Sequence, residues 1–419
     1  MRVSLPETKV GRGDIGAELL DFLGRSGYGR VRIVADANTW GALGRSVEAG
    51  LGKAGIVVVT LVFEGELQAD EAALGLLVAE EAAEPAPLIA VGSGTVTDIV
   101  RLYAARMRLP FVSLPTAASV DAYASSVSAM TIRGAKRTIA AAAPRAIFAD
   151  IETLRAAPAP MTAAGFGDML CKFSALADWR LGALVWGEAW DEGIAARTRA
   201  ATERCLGAAS LVGAREAEGL ETLIGALIES GMAMSLAGHS RPASGAEHHL
   251  SHYWEMRLAR EGRQPILHGL KVGVATALVA GLWERIRDMD QEEAEARLSD
   301  AVLPRAREEE ERIEGEFGAA ANSIKASQRR FLALDAGAFG ELKRTIINNW
   351  TEIRGLAASV PGAAETRALL SVAGCPTRPS ELGLEPKLVE SAWAFGHLLR
   401  DRFTVRRLAA LLGLECPGA

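Results

Sequence analysis

The chain has 419 residues, 49% hydrophobic and 23% charged, enough for about two to three domains with cores of their own. With 46 basic against 52 acidic residues, the formal net charge is −6. That balance argues against the basic face a nucleic-acid or polybasic membrane partner requires, but leaves room for a small anionic substrate held by a few local cations.

The opening MRVSLPETKVGRGD lacks the basic-then-apolar pattern of a secretory signal. VRIVAD at 31–36 has the composition of a buried strand, and Thr39 to Lys53 has helical spacing. IVVVTLVF at 56–63 predicts a second strand, and Glu66 to Ala83 a helix. PLIAVGSG at 87–94 predicts a third strand that ends in glycines, followed by a helix from Thr95 to Met107. PFVSLPT at 110–116 and RAIFAD at 145–150 complete five strands. Strand and helix in alternation imply a doubly wound, mainly parallel sheet of the Rossmann-like kind.

After Ile151 the β-branched runs stop, and alanine, leucine, arginine and glutamate dominate. This half predicts a helical domain. The expectation is therefore an α/β domain over residues 1–150 and an all-α domain over residues 151–419. The apolar run from Val272 to Trp283 is too short to span a bilayer. Residues 285–330, with EEEE at 308–311, have the pattern of solvated helix faces. Cys171, Cys205, Cys375 and Cys416 lie far apart without a CxxC, as reduced structural thiols of a cytoplasmic protein would.

Of six histidines, five (His239, His248, His249, His252 and His268) fall between 239 and 268. His248 and His252 are four apart and share a helix face, while His249 points away from it. His239 precedes a turn-like SRPASG and His397 stands alone; both suit structural positions. A catalytic metal site takes three protein ligands and keeps one position open. Asp168, after two glycines in AAGFGDMLCKF, offers a carboxylate, and at the start of a helix it would also serve as a cap. Spacing alone does not choose between His252 and His268 as the third ligand.

GSGTVTD at 92–98 lies between a predicted strand and a predicted helix, where small residues let a pyrophosphate approach the helix N-terminus. Asp36 ends the first strong strand, where an acid accepts ribose hydroxyls or caps the next helix. TAASVDAYAS at 116–125 follows the fourth strand and puts hydroxyls and Asp121 at a ligand-binding strand end.

In order and spacing, GSGTVTD, LPTAASVDAYAS, AAGFGD with a lysine four residues on, SGAEHHLSH and LHG resemble the sn-glycerol-1-phosphate dehydrogenase family. That family lies within the dehydroquinate-synthase-like and iron-type alcohol dehydrogenase superfamily, and the long SRPASGAEHHLSHYWEM form resembles its bacterial branch. The resemblance implies metal ligation by Asp168, His248 and His268. It implies substrate contacts at His252, Asp121 and Asp168. It implies nucleotide contacts at Gly94, Thr95, Val96, Thr97, Asp98, Thr116, Ser119 and Ser125, with Asp36 on the ribose. The implied cofactors are NAD, with NADP as the alternative, and one divalent ion, zinc, nickel or iron. The implied reaction interconverts dihydroxyacetone phosphate and sn-glycerol 1-phosphate in a homodimer. Lys136, Arg137, Lys172 and Arg241 are the sequence candidates for the substrate phosphate. In two places the chain departs from the pattern: Ser93 stands between Gly92 and Gly94, and Leu270 follows His268-Gly269. The rival readings are a dehydroquinate-synthase-type lyase, a polyol or alcohol dehydrogenase, and a catalytically silent metal-binding relative.

Overall fold

The computed structural model describes residues 5–13, 15–80, 84–132 and 135–415, without the side chains of residues 135 and 136. The described residues form eight strands: β1 (Glu7–Gly11), β2 (Arg30–Asp36), β3 (Val57–Phe63), β4 (Leu88–Gly92), β5 (Phe111–Pro115), β6 (Val127–Ile132), β7 (Ala135–Ala140) and β8 (Ala146–Asp150). Six of them form one parallel sheet in the order β1-β8-β5-β4-β2-β3. All five expected strands are in it.

Two features went unread in the sequence. β1 is an edge strand whose residues are half-buried or exposed, so it needs no apolar run to form. β6 and β7 make a separate antiparallel hairpin. The helix expected from Glu66 is shorter, Glu71–Ala79. The Asp70 carboxylate caps it by accepting the Ala73 N–H at 2.9 Å, and Thr131 N–H donates to the Ala69 carbonyl, holding the preceding residues extended.

The sheet is buried on both faces, as a parallel sheet must be. Alternate residues Val31, Ile33, Ala35, Ile89 and Val91 enter one apolar core. Val34, Leu88 and Ala90 enter the other, against Val96, Ile99 and Val100 of the helix Gly94–Met107. From β2 the chain steps outward to β3, then returns to the other side of β2 as β4. Ala35 pairs with Val91, so Asp36 and Gly92 end neighbouring strands at the point where the winding reverses. Open α/β sheets bind ligands in the crevice at such a point.

The chain forms two compact units. The first takes residues up to Met169 together with Ala200–His239; the second takes Leu170–Arg199 and the chain from Ser240 onward. Along the sequence the expected division falls at 151, where strands give way to helices. Compactness divides the chain differently because the helices after β8, and the helix Ala217–Ala237, pack with the sheet unit. Ala217–Ala237 is long and apolar enough to cross a membrane, longer than the run noted at Val272 to Trp283, and 61% of its most apolar window is buried as a core helix. The second unit is helical, with one large core that includes Trp254, Trp283 and Trp350. On the charged stretch, Arg305–Glu308, Arg307–Glu311 and Arg312–Glu309 pair along one exposed helix.

Candidate active site

Three imidazoles converge in the second unit. His248 and His252 lie one turn apart on the helix Ala246–Arg260, and His268 opens the helix His268–Asp288. Their ring centroids are 5.9 Å (His248–His252), 5.3 Å (His248–His268) and 5.5 Å (His252–His268) apart. Ligand atoms of His252, Glu255 and His268 lie within 4.8 Å of one another. His249, one residue along the helix, turns away from the cluster into the interior, with 1% exposure. Burial, then the charges of Arg402, Arg400 and Arg241, hold its pKa well below the usual value.

His248 is held by its neighbours. Its Nδ1 lies 3.0 Å from Oε1 of Glu247, a fully buried carboxylate. Glu247 also accepts the Gly245 N–H at 2.6 Å and the Ser174 hydroxyl at 3.1 Å, and Ser174 accepts the Trp283 indole N–H at 3.2 Å. Adjacent residues on a helix normally point apart. Here Glu247 reaches back to the N-cap in the first turn, and that fold-back brings it beside His248. Burial raises the Glu247 pKa. Asp178, which fixes the start of the same helix by accepting the Ala246 N–H at 2.7 Å, is pushed up to about 8 by burial and then by Glu247. Cys171 Sγ lies 3.9 Å from His248 Nδ1, and Glu255 Oε2 lies 3.4 Å from His252 Nδ1.

In the first unit, Asp168 and Asp121 come together. Asp168 is fully buried, and its Oδ2 accepts the Asp121 N–H at 3.0 Å. The Asp121 Oδ2 accepts the Ser230 hydroxyl at 2.8 Å. Asp168 lies in the last turn of the helix Ala159–Leu170, so the reading of it as a cap at a helix start is corrected. The preceding glycines are inside that helix. A Cβ at Gly165 would strike the Ala118 carbonyl group, so the glycine serves close approach and does not break the helix.

The nucleotide motif has the expected local form. The helix Gly94–Met107 starts directly after β4, with no side chain capping its first turn. A Cβ at Gly92 would meet Val96 at 2.5 Å. Ser93 has φ −87°, which any residue adopts, so serine is accommodated there. Thr97 Oγ1 is buried without a hydrogen-bond partner among the described residues. Asp98 is committed to Arg101, at 3.0 Å, and its carbonyl accepts the Ser128 hydroxyl. Arg101 in turn donates to the Ala122, Tyr123 and Val127 carbonyls, pinning the 116–127 loop. Thr116 N–H donates to the Gly92 carbonyl, and Ser125 Oγ accepts the Val127 N–H. Ser119 is buried in the same loop, and Val96 and Thr95 lie on the first turn of the helix. Asp36 accepts the N–H groups of Asn38 and Thr39, each at 2.9 Å, so it caps the helical residues that follow β2.

Two of the four sequence candidates for a phosphate, Lys172 and Arg241, have other partners. Lys172 is fully buried and donates to the Ala243 carbonyl at 3.2 Å. Arg241 pairs with Glu188 and donates to the Phe403 carbonyl. Arg137 is exposed on the hairpin, and the Lys136 side chain lies outside the described residues. Arg402, unread in the sequence, donates to Ser240 and Ser244 of the SRPAS loop, and its pKa is lowered to about 9 by burial and neighbouring Arg241. Cys171, Cys205 and Cys375 are buried and form no disulfide among the described residues; Cys416 lies outside them.

Residues 9–158 match the family model described as iron-containing alcohol dehydrogenase. The glycerol-1-phosphate dehydrogenase (NAD(P)+) of Geobacillus stearothermophilus is 35% identical over 408 residues, 96% of this chain and 92% of that protein. The chain belongs to the glycerol-1-phosphate dehydrogenase family. A second member, from Halalkalibacterium halodurans, is also 35% identical, over 96% of this chain and 92% of its own length. The fold of this family member resembles the crystal structure of glycerol dehydrogenase from Schizosaccharomyces pombe, with TM-score 0.60 at 18% identity, covering 98% of this chain and 89% of that one. The structure thus has the dehydroquinate-synthase-like architecture expected, with an N-terminal parallel sheet and many helices.

Proposed function

We propose that the protein reduces dihydroxyacetone phosphate to sn-glycerol 1-phosphate, reversibly, with a nicotinamide dinucleotide and one divalent metal ion. The observation that carries this reading is the convergence of His248, His252 and His268 in a member of this family. The donor set fits the ion: imidazoles from two helices and a fully buried carboxylate at Asp168 suit zinc, nickel or iron. In this reading Asp168, His248 and His268 are the ligands. The uncapped helix start after β4 and the buried Thr97 hydroxyl fit a dinucleotide pyrophosphate.

When bound, the ion supplies Lewis acidity toward the ketone oxygen and the dinucleotide supplies the hydride. His252 contacts the substrate and holds the proton the product hydroxyl needs, with Glu255 beside its Nδ1. Asp121 orients the substrate, itself fixed through Ser230 and Asp168. Residues 94–98, Thr116, Ser119 and Ser125 would hold the dinucleotide, and Asp36 would take its ribose hydroxyls, favouring NAD over NADP. On this reading residues 1–150 carry the dinucleotide and, through Asp121, one substrate contact, and residues 151–419 the metal and the other substrate contacts. Buried cysteines outside any disulfide suit the cytoplasm, and the assembly is a homodimer, which sedimentation would read.

The test is turnover. Purified protein with dihydroxyacetone phosphate and NADH or NADPH should lose the absorbance of the reduced cofactor, and His248→Ala should not. Turnover of unphosphorylated polyols alone, full activity of a metal-free preparation, or titrations in which neither NADH nor NADPH binds would each overturn the proposal.

A further inference from the structure

The Glu247–His248 contact is built more heavily than a surface hydrogen bond needs. Glu247 is fully buried, and each of its oxygens has a fixed partner. Oε1 takes the Gly245 N–H and faces His248 Nδ1; Oε2 takes the Ser174 hydroxyl. Ser174 is itself fully buried and takes the Trp283 N–H. Gly245 is held to glycine because a Cβ there would come within 2.5 Å of Asp178 and 2.9 Å of Glu247. A buried carboxylate is expensive to keep, and it persists where a neighbouring cation or a directed hydrogen bond repays it.

We infer that Glu247 is the positioning residue of the metal centre: it takes the Nδ1–H of His248, so that this imidazole presents Nε2, and Ser174 and Trp283 hold Glu247 in that orientation. The inference rests on the reading of His248 as a ligand. An imidazole that ligates through one nitrogen needs its tautomer and ring angle fixed by a partner on the other, and losing such a partner weakens metal affinity by about 10- to 100-fold. Nδ1 is already committed to Glu247, which leaves Nε2 as the ligating atom. The chain Trp283–Ser174–Glu247–His248 lies within one unit, on residues from three helices.

The experiment is a zinc titration of the metal-free full-length protein against a competing chelator, together with thermal unfolding of the metal-free form. Glu247→Ala should weaken zinc binding by about 10- to 100-fold. Glu247→Gln, which keeps an acceptor oxygen in place, should restore part of that loss. Should Glu247→Ala fail to fold, Ser174→Ala gives the same reading: it leaves His248 and Glu247 in place and should weaken zinc several-fold. Cobalt in place of zinc gives a second readout, since its visible spectrum should shift in Glu247→Ala as the ligand angle relaxes. If these variants melt lower but keep wild-type zinc affinity and cobalt spectrum, Glu247 is merely structural and the inference fails. If His248→Ala itself keeps wild-type zinc affinity, it is the assignment of His248 as ligand that fails.

Discussion

Gly165→Ala probes how the Asp121–Asp168 pair is positioned. The helix carrying Asp168 crosses the 116–125 loop so closely that an added Cβ would overlap the Ala118 carbonyl oxygen, with the carbonyl carbon at 2.9 Å and Leu227 Cδ1 at 3.2 Å. The first two contacts are backbone, which cannot rotate away as a side chain would. Overpacking costs about 1–3 kcal/mol, and the rigid partner puts this site at the upper end, about 3 kcal/mol. For a unit of about 200 residues, each kcal/mol lowers Tm by about 2–4 °C, so a drop of roughly 6–12 °C is expected by differential scanning fluorimetry. Relief requires the helix and loop to part, which lengthens the bond from Asp121 N–H to Asp168, now 3.0 Å. Activity at temperatures well below Tm should therefore fall as well. A variant that melts within 2 °C of wild type, with unchanged kcat and KM, would refute the close-approach argument and the dependence of Asp121 on it.

Arg101→Met removes a fully buried guanidinium, deprives Asp98 of its ion-pair partner and frees three loop carbonyls; breaking such a pair costs about 3–5 kcal/mol, readable as a lower urea midpoint, and a loss under 1 kcal/mol would contradict it. Asp36→Ala should lose the helix cap, about 1 kcal/mol, and should raise the NADPH:NADH ratio of kcat/KM; an unchanged ratio would leave Asp36 as a cap alone. The Asp178 pKa is raised from 3.8 to about 8, chiefly by burial. Because the folded value lies above the unfolded one, the group's contribution is fully present below about pH 3.8 and is lost as pH rises toward 8. The stability difference between wild type and Asp178→Asn, from denaturant midpoints, should shift against wild type between pH 5 and pH 8, and a pH-independent difference would rule out this titration.

The parallel sheet and the histidine cluster were legible because both rest on strong local signals. Five β-branched runs, each followed by helical spacing, leave few alternatives to a doubly wound sheet. β1 carries no such signal: ETKVG is half-exposed at the sheet edge, and its place beside β8 is set by pairing across about 140 residues of chain. The same distinction runs through the site. His248 and His252 declare themselves by spacing on one helix, whereas their link to His268 is a fact of packing. Asp168 looked like a cap because two glycines precede it; in the fold, Gly165 marks contact with Ala118.

What the sequence reading missed are the residues that hold others in place: Glu247, Ser174, Asp178, Arg101 and Arg402. None of them belongs to a sequence motif, and most of their partners are backbone groups or side chains far along the chain. Arg101 holds carbonyls 21 to 26 residues on, and Ser174 meets Glu247 across 73. A signal for Glu247 was present nonetheless. An acid at the second helical position after Gly245 is placed to reach back to the cap, and the next residue is a candidate ligand needing an acceptor on its other nitrogen. Those two local requirements meet in one carboxylate. The general consequence is a rule for reading such segments: where Gly-Ala-Glu-His opens a buried helix, the glutamate should be assigned to the histidine before it is assigned to solvent.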